Sequence, residues 1–99
     1  MNARELLVRM LQQLLQDTQV LHQQGAGYFS CIPIARRYNK LLGQARELSA
    51  GTSGLLGTFE DAPEADPKDP AEKMKVVQGI RIEINQLISL LEALAEESA

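Results

Sequence analysis

Apolar side chains recur at helical spacing in three stretches of the chain. Taking about 100° per residue and measuring from Leu14, Ala3, Leu6, Leu7, Met10, Leu11, Leu14, Leu15, Thr18 and Leu21 fall on one half of a helix. The pattern predicts an amphipathic helix over residues 3–24, with Glu5, Arg9, Gln12, Gln16, Gln19 and Gln23 on its outer face. Gly25-Ala26-Gly27 ends it, because glycine just past the last periodic residue supplies a left-handed cap.

A second seam follows. Pro33 is tolerated only in a first helical turn, so Ser30 or Ile32 opens the element. Ile34, Tyr38, Leu41, Ala45 and Leu48 then repeat at alternating steps of four and three, with Leu42 beside them, giving a helix over 33–49. Gly43 lies away from that seam and costs about 1 kcal/mol relative to Ala.

Residues 50–69 hold three Gly, two Pro and five acids and read as a long connection. Leu55, Leu56 and Phe59 are its exceptions, and a short helical turn over 53–59 would lay them on the core as an ordered loop. Residues 60–69, with no periodic apolar position, are expected to be the most mobile internal segment and the first cut by a protease. Asp69-Pro70-Ala71-Glu72 then combines an N-cap acid, a proline at the first helical position and a glutamate at the third, a capping box. From there Val77, Ile80, Ile84, Leu87, Leu91 and Leu94 form a stripe that Val76, Ile88 and Ala95 widen to about 160°, giving a helix over 70–96.

The expected fold is therefore all-α: a helical hairpin plus a long third helix, as a three-helix or dimeric bundle in one domain over residues 1–99. The third helix should reach about 40 Å against about 25 Å for the second. That mismatch, with the broad stripe, leads to the expectation of a homodimer in which the ends of helices 1 and 3 complete each other's core.

Composition narrows the chemistry. One Cys (Cys31) and one His (His22) leave no internal disulfide and no multi-Cys/His zinc site. His22 also lacks a glutamate three residues before it, as the carboxylate-bridged metal bundles require. No enzyme activity, cofactor or metal is expected. Cys31 stands near a helix N-terminus, which lowers a thiol pKa, but with no second Cys it reads as a small buried hydrophobe. There is no apolar run long enough to span a bilayer, and the apolar N-terminal stretch is broken by Glu5, Gln12 and Gln13, so a cytoplasmic chain without membrane attachment is expected.

The net charge of −3 conceals a division: residues 1–50 carry six basic and three acidic side chains, residues 51–99 four and ten. Such a chain pairs its own helices, or meets a charged partner, more readily than it binds nucleic acid. Arg36, Arg37, Lys40 and Arg46, with Tyr38 among them, form the densest basic group on helix 2. Its two competing destinations are a phosphate-bearing ligand on Arg36 and Lys40 and the chain's own acids at Asp61, Glu64, Asp66 and Asp69, within the chain or across a dimer.

Two further candidates stand out. Asp17 lies about 60° from the centre of the helix 1 stripe and Arg37 about 40° from that of helix 2, and a hairpin brings both to one level above the turn. They are expected to pair and fix register, the competing reading being a ligand site near Asp17, Arg37 and Tyr38. Tyr28 and Phe29, adjacent in the connection, either tuck under the bundle end or form a contact patch. The functional expectation is a small helical protein–protein interaction module acting as a homodimer. The alternatives are a regulatory or nucleic-acid-associated protein using the basic face of helix 2, and a ligand-binding bundle.

Overall fold

The computed structural model describes residues 2–24, 30–48 and 54–98, of which residues 21–24, 54, 55, 95, 97 and 98 are described by backbone alone. Three α-helices, α1 (Ala3–Gln24), α2 (Ile32–Leu48) and α3 (Pro70–Ser98), are joined in that order, with one 3₁₀ turn at Gly54–Thr58. The described residues contain no strand. The 29 residues of α3 account for the long dimension of a 44 × 23 × 16 Å body, at about 1.5 Å of rise per residue.

Each helix starts where a side chain can take up its free N–H groups. Asn2 opens α1: its Oδ1 accepts the Glu5 N–H at 2.8 Å and its Nδ2 donates to Glu5 Oε1 at 3.4 Å. This is an N-cap in which the Glu5 carboxylate meets the Asn2 side chain and not its backbone N–H, at a position where the sequence pattern showed only the stripe. At α2, Ser30 Oγ accepts the Ile32 N–H at 3.2 Å, and Pro33 sits in the first turn. At α3, Asp69 Oδ1 accepts the Ala71 N–H at 3.1 Å, as an N-cap should, with Pro70 at the first helical position. The expected reciprocal half is not formed there, since the Glu72 carboxylate takes Lys75 Nζ at 3.3 Å instead.

The core is one cluster fed by all three helices: Leu7, Leu11 and Leu14 from α1, Ile34, Ala35, Tyr38, Leu41, Leu42 and Ala45 from α2, and Val77, Ile80, Ile84, Leu87 and Leu91 from α3. Leu56 and Phe59 close it from the connection, as the turn over 53–59 required, while the Leu55 side chain lies outside the description. From Val77 to Leu91 the seam of the α3 stripe is thus buried within the chain, against α1 and α2. Leu94, toward the end of α3 where a dimer contact was expected, is half-buried, and the Ala95 side chain is not described.

Chain direction follows from what shares each end of the bundle. The first turns of α1 and Leu91 of α3 line one depression, so those helices are antiparallel. Cys31 at the start of α2 lies 3.8 Å, Sγ to O, from Lys73 in the first turn of α3, so α2 and α3 run parallel. Parallel neighbours cannot be joined by a tight turn. The connection must travel back along the whole of α2.

Candidate functional site

That return path closes one flank of α2. Beyond Phe59 the chain runs antiparallel to the helix: Asp61 Oδ1 meets Arg46 Nη1 at 3.1 Å, Ala62 meets Asn39, Glu64 Oε1 meets Arg36 Nε at 3.0 Å, and Asp66 Oδ1 accepts the Cys31 N–H at 3.1 Å. Fifteen helical residues, 31 to 46, span about 22 Å, and five extended residues, 61 to 66, about 17 Å, so the strap follows the helix nearly in step. Its centre is Asn39, whose amide donates from Nδ2 to Ala62 O at 2.8 Å and accepts the Ala62 N–H at Oδ1 at 2.7 Å, replacing a strand partner. Arg46 Nη2 adds a bond to Phe59 O at 2.7 Å.

Residues 60–69 were expected to be the most mobile internal segment, and these bonds show that they are tied along their length. The basic group on α2 is accordingly committed in part: Arg36 and Arg46 are paired within the chain, and Lys40 is exposed, with no ion pair among the described residues. Arg36, foremost, and Asn39 hold the Glu64 carboxyl below its ordinary pKa. The Cys31 N–H, with Lys73 Nζ at 3.3 Å behind it, does the same for Asp66. Cys31 itself is fully buried, and burial followed by the nearby Asp66 charge pushes its thiol pKa up, opposite to the fall expected at a helix N-terminus.

The other flank is open. On α1 the buried residues Leu7, Leu11, Leu14 and Thr18 lie at about 0 to 60° from Leu14, and half-buried Val8 and Leu15 at about 100 to 120°. The true stripe is therefore rotated away from Met10, Asp17 and Leu6, at about −40 to −80°. Leu6 is 50% exposed and Met10 45%, and with Leu48 of α2, 40% exposed, they edge a groove of about 550 Å³ between the two helices. Leu7 and Leu41 form its floor, and Arg37, Lys40, Gly43 and Glu47 its α2 rim.

The same rotation separates Asp17 from Arg37. Both are exposed and both line a shallow depression of about 290 Å³ with Met10, Gln13 and Leu14, yet they do not form an ion pair. Asp17 Oδ1 instead accepts a bond from Gln13 Nε2 on its own helix at 3.1 Å. Tyr38 lines neither this depression nor the groove, so the three residues do not make one pocket. Tyr28 and Phe29 lie outside the described residues, as do the glycines of residues 25–27, and the His22 side chain is likewise not described.

Tyr38 is fully buried, its hydroxyl has no hydrogen-bond partner among the described residues, and burial with the neighbouring Glu83 carboxylate raises its pKa to about 12. It stands at the back of a second cleft of about 290 Å³, framed by the strap at Glu60–Pro63 and by Gly79 and Glu83 of α3. Among the described residues no cluster of His, Cys, Asp or Glu is arranged to hold a metal ion, and no helix is long and apolar enough to cross a membrane.

Compared with known proteins, the chain matches no family model, no curated protein and no solved structure at a significant level.

Proposed function

We propose that this chain is a helical interaction module that acts as a homodimer, with the groove between α1 and α2 as the interface and a second copy of the same groove as its occupant. The observation that carries the reading is the placement of exposed apolar side chains: of the five large ones exposed among the described residues, Leu6, Met10 and Leu48 converge on one concave surface, while Val20 and Ile82 lie outside it. A groove with a polar rim and an apolar floor suits a helix laid into it.

The rim favours self-association. On α2, Lys40 and Glu47 are two turns apart and equidistant from the Gly43–Gln44 bond. When two α2 helices cross antiparallel over that point, Lys40 of each chain faces Glu47 of the other, as a two-fold interface requires. Gly43 also lines the groove, and a Cβ added there meets nothing within 4 Å, so the chain's own packing does not require a glycine at that position.

Sedimentation equilibrium at micromolar concentration should return twice 10.9 kDa, and a mass of 10.9 kDa throughout would overturn the reading. Because Leu6 and Met10 are exposed in the single chain, Leu6→Ser with Met10→Ser should give a folded monomer. Lys40→Glu should also give a monomer, and adding Glu47→Lys should restore the dimer by exchanging the charges. A reading based on phosphate binding predicts no rescue from that double exchange. It is also disfavoured because Arg36 and Arg46 are already paired with Glu64 and Asp61.

A further inference from the structure

The Tyr38 cleft shares no lining residue with the groove, so what it does is independent of dimerisation. Its chemistry is one-sided. Glu60, Asp61 and Glu83 all line it; Asp61 is paired with Arg46, but no described cation pairs with Glu60 or Glu83. Lys75, the cationic side chain at its edge, is paired with Glu72. Behind these carboxylates lies the Tyr38 hydroxyl, buried with its oxygen unused, which is costly for a polar group withdrawn from water.

The nature of the missing partner can be narrowed. An anion is repelled by the surplus carboxylates, and the carboxylates do not converge as a metal site does. An apolar ligand would leave the hydroxyl without a partner. What satisfies all the groups is an elongated cation whose N–H donors can be shared between a hydroxyl oxygen and separate carboxylates.

From this we infer that the cleft binds an alkylammonium group, with one ammonium N–H donating to Tyr38 Oη, Glu83 and Glu60 neutralising the charge, and the aliphatic stem lying along Val76 and Ile80. Two sources carry that chemistry, a free aliphatic diamine and a lysine side chain of a peptide. The position of Gly79 keeps the entrance open. A Cβ there would meet nothing within 4 Å, so a larger side chain can be added on the outer face of α3 without disturbing the core.

The test is an amide-resolved NMR titration in salt at physiological strength, with 1,4-diaminobutane and Nα-acetyl-lysine methylamide as separate probes and 1,4-butanediol as the uncharged control. The amides of Ala62, Gly79 and Glu83 should shift and saturate with an amine and stay still with the diol. Saturation by the diamine at lower concentration points to a free polyamine, and by the lysine derivative to a peptide. Tyr38→Phe should weaken binding about tenfold, the loss expected when one charge-assisted hydrogen bond is removed. It should leave thermal stability equal or higher, because it deletes an unsatisfied hydroxyl. Gly79→Leu should block the shifts while preserving the helical spectrum. Amine-induced shifts that never saturate, that sodium chloride reproduces, or that persist unchanged in both variants would overturn the inference, as would no shift at all.

Discussion

The two flanks of α2 are built from one helix and end differently. Measured from Tyr38, Arg46, Asn39 and Arg36 lie at about +80 to +160° and Leu48, Arg37 and Gln44 at about −80 to −120°. The positive flank is polar, and the chain covers it with its own strap. The negative flank, with the apolar edge of α1 beside it, is left uncovered. Half of a basic surface that looks available in the sequence, Arg36 and Arg46, is thus spent, whereas Leu6, Met10 and Leu48, which look like core, are exposed. For this protein the interaction surface is better sought among surplus leucines and methionine than among arginines.

The largest effects should come from residues that serve both flanks. Leu42, fully buried, belongs to the core beneath them, and Leu42→Ala should cost about 2 to 5 kcal/mol in chemical denaturation through the cavity it leaves. Next comes the middle of the strap. Asn39→Ala removes both partners of a half-buried Ala62 backbone and should cost about 1 to 3 kcal/mol, with new protease cleavage confined to residues 60–67. Equal cleavage before and after the change would show that the strap was never closed.

Titration sharpens the contrast from both ends. Asp66 and Glu64 have pKa values lowered in the folded state, so their contribution is present above the unfolded values, near pH 4, and is lost as pH falls through the folded ones. Acid should therefore release the strap, read as amide exchange at Ala62. At the other extreme, the Tyr38 pKa is raised to about 12 by burial and Glu83. The neutral phenol stabilises the fold fully below about pH 10, and that contribution disappears as pH climbs toward the folded value. Ultraviolet titration of the two tyrosines should show one ionising late, and a single ordinary step for both would contradict the burial of Tyr38. The smallest effect belongs to Glu64→Gln: its partner Arg36 is 58% exposed, and the denaturation midpoint should not move measurably.

The helices were legible in the sequence because their signals are local. A cap, a proline and a stripe each involve residues within a few positions, and Asp69-Pro70 with the Val77–Leu91 stripe placed α3 to within two residues of its observed end. The Asn2–Glu5 cap is equally local, an Asn three residues before a Glu at the start of the stripe. The strap was not legible, for Asn39 and Ala62 are 23 positions apart and the bonds run to backbone atoms, which carry no residue-type signature. Asp17 and Arg37 failed for a geometric reason. A helical wheel fixes the angle between side chains on one helix but not the direction from which the neighbouring helix approaches, and a rotation of the core by a few tens of degrees moved Asp17 from its margin to the solvent. Part of the acidic half did read through: its carboxylates were one of the two destinations open to the basic group, and Glu64 and Asp61 take up Arg36 and Arg46 within the chain.

Parallel packing of α2 and α3 has an electrostatic consequence. Two helices pointing the same way set their peptide dipoles side by side, with two partial positive ends adjacent at one end of the bundle, an arrangement that repels itself. Asp66 lies at that junction, accepting the Cys31 amide just before α2 and holding Lys73 in the first turn of α3, while Asp69 caps α3 beside it. One carboxylate thus opposes both ends at once. Asp66→Asn should keep the hydrogen bond to Cys31 and still loosen the start of both helices, because it is the charge, more than the bond, that lets two aligned dipoles lie together.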